Sequence, residues 1–259
     1  MLETAWQAAL QLLPTPQAWL LYLLCAVLIG MSKTGIQNIG TVAVPFFALL
    51  FGAKYSTGIV LIMLCMADLT AVIYYRKSLI WSEVTKLLPS ALLGLLVGLV
   101  LGNSIDDQWF KTAMGICILL GVGIMLWSSR QTEESTKELV EKKWYSPLFG
   151  FIVGFSTMIG NAAGPALSVY LLTKRMSKLT FVATAAWFIM ILNYIKIPLQ
   201  AFVWQNLSIA GLVINVMAIP FILLGGLIGI KLVQILKEQH FRWVIMGLVI
   251  FSSLMLIMM

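Results

Sequence analysis

The sequence predicts an all-α polytopic membrane protein made of two inverted structural repeats, each with a re-entrant or broken helical hairpin plus three transmembrane helices. Composition is the first reason: of 259 residues, 61% are hydrophobic and only 10% are charged, and the mean hydropathy is +0.98. A water-soluble domain of this size cannot bury that much apolar side chain beneath a charged surface, so we exclude that class. The second reason is a succession of long apolar segments, and the third is an internal duplication.

Two blocks of sequence carry the duplication. Residues 30–40 (GMSKTGIQNIG) match residues 154–164 (GFSTMIGNAAG) at an offset of 124, and residues 89–98 (PSALLGLLVG) match residues 220–229 (PFILLGGLIG) at an offset of 131. The difference between the offsets indicates a net insertion of seven residues in the second half. We therefore predict a first repeat at 1–127, which opens with an interfacial segment at 1–15, a cytoplasmic linker at 128–145, and a second repeat at 146–259.

The residues before the first apolar segment predict a short helix that lies in the membrane interface. Leu2, Trp6, Leu10 and Leu13 recur at helical spacing, which gives the helix one apolar face. A proline follows directly at Pro14 and ends the helical pattern before the first span begins.

Each repeat then contains five hydrophobic segments in the same order. In the first repeat they cover about 16–32, 40–52, 57–75, 84–102 and 108–127, and in the second about 146–159, 164–173, 179–203, 207–231 and 240–258. The second segment of each set is too short to span a bilayer alone. Together with the segment before it, it predicts a hairpin whose tip is the glycine-rich motif. Non-helical backbone at that depth has to be buried in protein or line a wet cavity.

The positions of Lys and Arg predict the orientation in the membrane. Three short loops and the linker at 128–145 are rich in these residues, whereas the loop at 103–107 carries two aspartates instead. Cytoplasmic loops carry an excess of Lys and Arg, so the cation-rich loops belong inside and both termini on the extracytoplasmic side. The first half then starts outside and the second starts inside, which makes the repeats inverted and suits an alternating-access carrier.

Paired glycine-interrupted segments in the two halves of a membrane protein indicate the substrate site of a transporter. At the first tip, free backbone N–H groups at a helix start, hydroxyl groups and Lys33 favour a small oxyanion. The alternative for Lys33 is that it caps the C-terminus of a neighbouring helix. At the second tip, Pro165 favours a helix start. The candidate substrate-binding residues of the two tips are Ser32, Lys33, Thr34, Gly35, Asn38, Ser156, Thr157, Asn161 and Gly164.

Further polar residues fall inside predicted spans, where a charge costs roughly 2.5–3.5 kcal/mol and needs a partner or a purpose. Asn193 and Lys196 are three residues apart, share one helix face and are also candidate substrate-binding residues. Asp68 is either a proton site or the charge that neutralises Lys33 or Lys196, and the sequence leaves these alternatives open. Two buried lysines against one aspartate leave an excess positive charge, which an anionic substrate would balance.

Other classes of function find little support. The sequence contains no phosphate-binding glycine loop, no Ser/His/Asp set and no zinc pattern, and the three cysteines lie in apolar stretches. We therefore predict no catalytic residue, no cofactor and no metal, and we do not expect an enzyme. The net charge of +7 comes mostly from loops at span ends, which argues for membrane topology and against a nucleic-acid partner. Glycine-rich helix faces permit a homodimer without requiring one.

Six motifs in order resemble the sulfite exporter TauE/SafE family, also called the toluene-sulfonate uptake permeases. They are GMSKTG at 30–35, MADLTAVIYYRK at 66–77, LPSALLG at 88–94, GFSTMIGNAAGP at 154–165, KLTFVAT at 178–184 and NYIKIP at 193–198. The resemblance implies a bacterial inner-membrane permease for small sulfur-containing or organic anions such as sulfite, thiosulfate or a sulfonate. By the same resemblance, Lys33, Asp68, Asn193 and Lys196 match polar positions typical of the family.

The chain departs from the family pattern in two places. Gln37, Asn38 and Ile39 stand where family members often have a longer glycine run, which narrows or re-specifies the site. Many members also carry a His near the position of Asn161, and its absence here weakens the case for proton coupling through a His.

A secondary transporter of a small anion in the lipid bilayer is therefore the leading hypothesis, with the substrate held between the two hairpin tips near the midplane. A channel-like or non-transport membrane scaffold is the alternative, but a scaffold needs neither buried lysines nor two symmetrically broken segments. The anion, the direction of transport and coupling to protons or sodium stay open at this stage.

Overall fold

The computed structural model describes residues 2–35, 37–129, 142–174 and 176–235 of the chain. These ranges are helical, with short turns and loops between the helices and no β-strand among them. Most of the predicted linker and the predicted segment at 240–258 lie outside the described residues. The predicted all-α class is confirmed.

The helices follow the predicted segments closely. In the first half they are α1 (Leu2–Leu12), α2 (Pro16–Thr34), a 3₁₀ helix (Gln37–Val42), α3 (Ala43–Phe51), α4 (Ala53–Tyr75), α5 (Trp81–Ser104) and α6 (Asp107–Ser129). In the second half they are α7 (Tyr145–Gly160), α8 (Gly164–Thr173), α9 (Lys178–Leu199), a π-helical turn (Gln200–Trp204) and α10 (Ile209–Ile235).

Five of the helices within the described ranges are long and apolar enough to cross a membrane: α2, α4, α5, α9 with its π turn, and α10. Shorter apolar helices cover Ile39–Phe51, Tyr145–Gly160 and Gly164–Thr173. The chain is a multi-pass membrane protein. Helix α1 precedes these spans and packs on α10, with Ala9 and Leu13 buried in the interior, and its place at the membrane interface stays a prediction.

Local capping explains where several helices begin. The Thr15 hydroxyl accepts a hydrogen bond from the Ala18 N–H at 3.2 Å, one residue before the proline that opens α2. Ser177 caps α9 in the same way. The start of α4 is capped from a distance, since the Asp107 carboxylate accepts from the N–H groups of Ala53 at 3.1 Å and Lys54 at 2.7 Å. This contact fastens the first turn of α4 to the first turn of α6.

Each half contains the predicted hairpin of two apolar helices, but the two tips are built differently. In the second half, α7 ends at Asn161, which adopts the left-handed conformation (φ 53°) and donates its N–H to the Thr157 carbonyl at 3.1 Å. A short turn then leads to Gly164, where α8 begins. In the first half the chain passes from the end of α2 through the 3₁₀ helix directly into α3, so this tip is helical rather than an open loop.

The first helix of each hairpin packs tightly on a long helix of the opposite half. Gly94 of α5 faces the carbonyl of Phe151 on α7, and Gly225 of α10 faces the carbonyl of Val27 on α2. These two contacts are related by the offsets of the sequence repeat. Phe151 lies 124 residues after Val27, and Gly225 lies 131 residues after Gly94. Two further pairs of contacts are related by the same offsets. Gly154 faces the Ala91 carbonyl as Gly30 faces the Ile222 carbonyl. Gly98 faces the Phe155 carbonyl as Gly229 faces the Met31 carbonyl.

An ideal Cβ atom at Gly30, Gly94, Gly154 or Gly225 would overlap a backbone carbonyl of the neighbouring helix, so the close approach requires glycine there. At Gly229 and Gly98 the corresponding distances are 2.8 Å and 3.2 Å, so the contacts are tight but less severe. The α2–α10 and α5–α7 pairs therefore exchange equivalent contacts between the halves. Between these pairs, α4 and α9 pack on each other in the core. The duplication in the sequence is thus accompanied by a duplication of helix contacts.

Candidate functional site

A small cavity lies between the two hairpin tips, with α4 and α9 as its walls. The first tip contributes Ser32, Lys33, Gly40 and Thr41, and the second contributes Thr157, Asn161, Ala163, Gly164 and Leu167. The walls contribute Val60 and Leu64 from α4 and Ala185, Ala186, Ile189 and Asn193 from α9, and Ile29 and Val44 complete the lining. The two tips predicted from the repeated motif therefore face one common space.

The cavity has room for a small oxyanion. Its volume is about 50 Å³, whereas a cavity of about 10–15 Å³ is enough for one water. The lining is polar at the tips and apolar along the walls, an arrangement typical of small-ligand sites in which a few placed polar groups set orientation.

The walls of the cavity come from corresponding helices of the two halves. Val60 and Ala185, and likewise Leu64 and Ile189, are separated by 125 residues, close to the offset of 124 between the tip motifs. One helical turn further along, Asp68 and Asn193 are separated by the same 125 residues, and the Asn193 Nδ2 donates to Asp68 Oδ2 at 2.7 Å. This hydrogen bond joins α4 and α9 beside the cavity.

Lys33 and Asp68 form a buried ion pair at this meeting point. The Lys33 Nζ lies 2.7 Å from Asp68 Oδ1, with the aspartate side chain fully buried and the lysine side chain only 10% exposed. Of the roles that the sequence left open for Asp68, the structure shows the pairing with Lys33. Because Lys33 also lines the cavity, its remaining N–H groups are in position to meet a ligand.

Lys196 is fully buried and has a different environment. Its Nζ donates to the Thr157 carbonyl at 2.8 Å, to Thr157 Oγ1 at 3.4 Å and to Asn161 Oδ1. All three acceptors are neutral and belong to the second tip. Lys196 does not itself line the cavity, so it stands behind the wall that Thr157 and Asn161 form.

Asn161 connects the second tip to the first half. Its side-chain oxygen accepts from Lys196, and its Nδ2 donates to the Thr57 carbonyl of α4 at 3.2 Å. The Thr57 hydroxyl accepts in turn from Asn206 Nδ2 at 2.9 Å, just beyond the π turn. A chain of buried polar contacts thus runs from the cavity wall to the loop between α9 and α10.

The structure gathers some of the predicted residues around the cavity and places others elsewhere. Ser32, Lys33, Thr157, Asn161, Gly164 and Asn193 line it. Thr34 instead donates to the Gly226 carbonyl at 2.7 Å, and Gly35 packs on Gly229, so both contact α10. Ser156 is buried and donates to the Val153 carbonyl at 3.3 Å within its own helix. The side chain of Asn38 lies outside the described part of the structure.

Two buried amides were not singled out in the sequence. Gln200 is fully buried, follows Lys196 by one helical turn, and neither of its side-chain polar atoms has a partner among the described residues. The Oδ1 of the buried Asn206 likewise has no partner in this part of the chain. A glutamine near the end of an apolar segment is easily taken for a residue at the membrane surface, and only its complete burial in the folded protein shows that it faces inwards.

The chemistry available in the cavity is that of anion binding. Lys33 supplies a charged donor. The first turn of α8 adds backbone N–H groups, although Pro165 has none and the Leu167 N–H donates to the Ala163 carbonyl. The apolar walls exclude water and so strengthen both interactions. Within the described ranges, no group of three or more His, Cys, Asp or Glu side chains is arranged to hold a metal ion.

Comparison with known proteins identifies one family. The family model described as "Sulfite exporter TauE/SafE" matches residues 12–256, which is nearly the whole chain. No curated protein and no solved structure matches the chain. The match agrees with the resemblance that the six sequence motifs indicate.

Proposed function

The chain belongs to the sulfite exporter TauE/SafE family of membrane transporters for sulfite and related anions, and from that premise we propose that it is a secondary transporter which works by alternating access. Its substrate is a small sulfur-containing or organic anion such as sulfite, thiosulfate or a sulfonate. The anion binds between the two hairpin tips, on Lys33 and the start of α8. The observation that carries the proposal is the cavity between the tips, which places the Lys33 ammonium beside hydroxyl groups and a helix N-terminus.

We place the protein in the bacterial inner membrane with both termini outside, the linker at 128–145 inside and the two repeats inverted. The reciprocal packing of α2 on α10 and of α5 on α7 supports this arrangement, because equivalent contacts are exchanged between the halves. The Asp68–Asn193 hydrogen bond supports it as well, since it joins α4 of the first half to α9, the corresponding helix of the second.

The same packing suggests how the site is exposed in turn to each side. The glycine contacts hold α2 against α10 and α5 against α7 over several turns, so each pair moves as one body. The cavity lies where the hairpin tips of the two pairs meet α4 and α9. A small rotation of one pair against the other then opens the cavity to one side while the contacts on the other side close it.

Counterflow in proteoliposomes tests the proposal. Vesicles are loaded with unlabelled sulfite and diluted into buffer containing a trace of radiolabelled sulfite. A carrier exchanges internal for external anion, so we expect the label to accumulate transiently above its equilibrium level. Vesicles prepared without protein provide the background, and thiosulfate and methanesulfonate are tested in the same way.

Each outcome is informative. Accumulation above equilibrium with any of these anions supports an alternating-access carrier. Entry that rises to equilibrium without an overshoot supports the channel-like alternative. Vesicles that contain folded protein and move none of the anions contradict the transport proposal.

A further inference from the structure

We propose that the site selects singly charged anions over doubly charged ones, so that hydrogensulfite and sulfonates are ligands whereas sulfite and sulfate dianions are poor ones. The inference rests on the proposed function and narrows its substrate class. It follows from the net charge buried around the cavity. This net charge is obtained from the contacts of Lys33, Asp68 and Lys196.

The first two charges cancel. Lys33 and Asp68 are 2.7 Å apart, and the aspartate is fully buried. The other oxygen of Asp68 accepts from the neutral amide of Asn193. The pair therefore contributes a strong local dipole but no net charge to the cavity.

The third charge, on Lys196, has no counter-ion among the described residues. The Lys196 Nζ is surrounded by two oxygens of Thr157 and one of Asn161. Three acceptors match the three N–H groups of an ammonium, which donates three hydrogen bonds and accepts none. In its ammonium form Lys196 carries one positive charge, which neutral groups hold directly behind the cavity wall. A bound anion stabilises this ammonium form.

Other ionisable groups do not change this count. Among the described side chains, the remaining carboxylates are engaged elsewhere: Glu83 contacts Lys86, Lys174 and Tyr170, while Asp106 and Asp107 cap helix starts. The titratable neighbours of the three charges are the thiol of Cys65 and the phenol of Tyr194. Both groups are ordinarily neutral near pH 7.

One excess positive charge in an apolar surrounding is balanced by one negative charge. A monoanion bound beside Lys33 leaves the buried region neutral. A dianion leaves it with a net negative charge, and its own transfer from water costs more, because the cost of desolvating an ion rises steeply with its charge. The two effects act in the same direction, so they favour the monoanion.

The first test uses the purified wild-type protein and equilibrium binding of three anions. Methanesulfonate is a monoanion and sulfate a dianion over the whole accessible pH range, while hydrogensulfite loses its proton near neutrality. We expect methanesulfonate to bind about ten-fold or more tightly than sulfate. The apparent affinity for total sulfite should fall more steeply from mildly acidic to mildly alkaline pH than that for methanesulfonate, because only hydrogensulfite loses a proton of its own.

Two variants alter the charge count in opposite directions. Asp68→Asn removes the negative charge and keeps an amide beside Asn193, so we expect sulfate affinity to rise about ten-fold. Lys196→Met removes the excess positive charge without changing a cavity-lining residue, so methanesulfonate affinity should fall by a similar factor. Lys231→Met is the matched control, because this exposed lysine near the end of α10 lies away from the cavity lining. It should leave both affinities unchanged.

The results separate this inference from the proposed function. If sulfate binds as tightly as methanesulfonate, or if methanesulfonate affinity falls with pH in parallel with that of total sulfite, the charge count is wrong although anion binding stands. Wild-type protein that binds none of the three anions contradicts the proposed function itself. Thermal unfolding of each variant shows whether it is folded. If a variant does not fold, the relative affinities of the wild-type protein for methanesulfonate, sulfate and total sulfite still test the inference.

Discussion

Replacement of Lys33 by methionine is expected to abolish anion transport and also to destabilise the protein. Transport falls by about thirty-fold or more, because loss of a buried charged contact costs roughly 2–5 kcal/mol. Stability falls because Asp68 is left as a buried carboxylate without its cation, and breaking a buried ion pair from one side costs about 3–5 kcal/mol. The measurements are counterflow in proteoliposomes and thermal unfolding in detergent.

The two effects are separated by a second variant, Lys33→Met with Asp68→Asn. Removing both charges takes away the unpaired carboxylate, so most of the lost thermal stability should return while transport stays absent. Lys86→Met serves as the control, since this lysine is paired with Glu83 but its side chain is 53% exposed. Exposed pairs contribute about 1 kcal/mol or less, so the control should remain folded and active. A double variant that transports like the wild type would remove Lys33 from the substrate site.

Alanine at the glycines between the halves is expected to destabilise the fold strongly and equally in both halves. A Cβ at Gly94 would overlap the carbonyl of Phe151, and a Cβ at Gly225 would overlap the carbonyl of Val27. Backbone cannot move aside as a flexible side chain can, so we expect each substitution to cost about 3 kcal/mol, the upper end of the usual range for overpacking. Thermal unfolding of the two single variants provides the measurement.

Gly123→Ala is the matched control for these variants. Gly123 lies in α6, and no heavy atom of the described residues lies within 4 Å of the position of a Cβ atom there. Alanine is favoured over glycine in a helix by roughly 0.5–1 kcal/mol, so this variant should be as stable as the wild type or slightly more stable. Unfolding of Gly94→Ala and Gly225→Ala at the same temperature as Gly123→Ala would contradict the close packing of α5 on α7 and of α2 on α10.

Much of the fold could be predicted because its signals are local in the sequence. The length of each apolar segment and the glycine and proline residues at its ends predict the bounds of each described helix to within a few residues. An example is α8, which begins at Gly164, just before Pro165. The repeated motif also identified the two hairpins. The 3₁₀ helix at Gln37–Val42 was not predicted, since its residues are typical of an open turn and only the packing around them makes the tip helical.

The partners of the site residues could not be predicted, because they are distant in the sequence. Lys33 is paired with Asp68 rather than with a helix C-terminus, and only the packing of α2 and α4 decides this. Thr34 stands next to Lys33 but is turned towards α10 by helical geometry. Lys196 was expected at the substrate, yet the fold places Thr157 and Asn161 between it and the cavity.

The predicted excess of positive charge has a specific location in the structure. The sequence contained two intramembrane lysines and one aspartate without indicating which lysine is neutralised. The structure leaves Lys196 as the cation without a carboxylate partner among the described residues.

Locating a bound anion is the most direct test of the proposed substrate site between the hairpin tips. Selenite is a close chemical analogue of sulfite, and its selenium atom is identified by anomalous scattering in crystals of the purified protein. We expect a selenium peak between the two hairpin tips, within hydrogen-bonding reach of Lys33 and close to the first turn of α8. A selenium peak elsewhere in the protein, with the space between the tips occupied only by water, would contradict it.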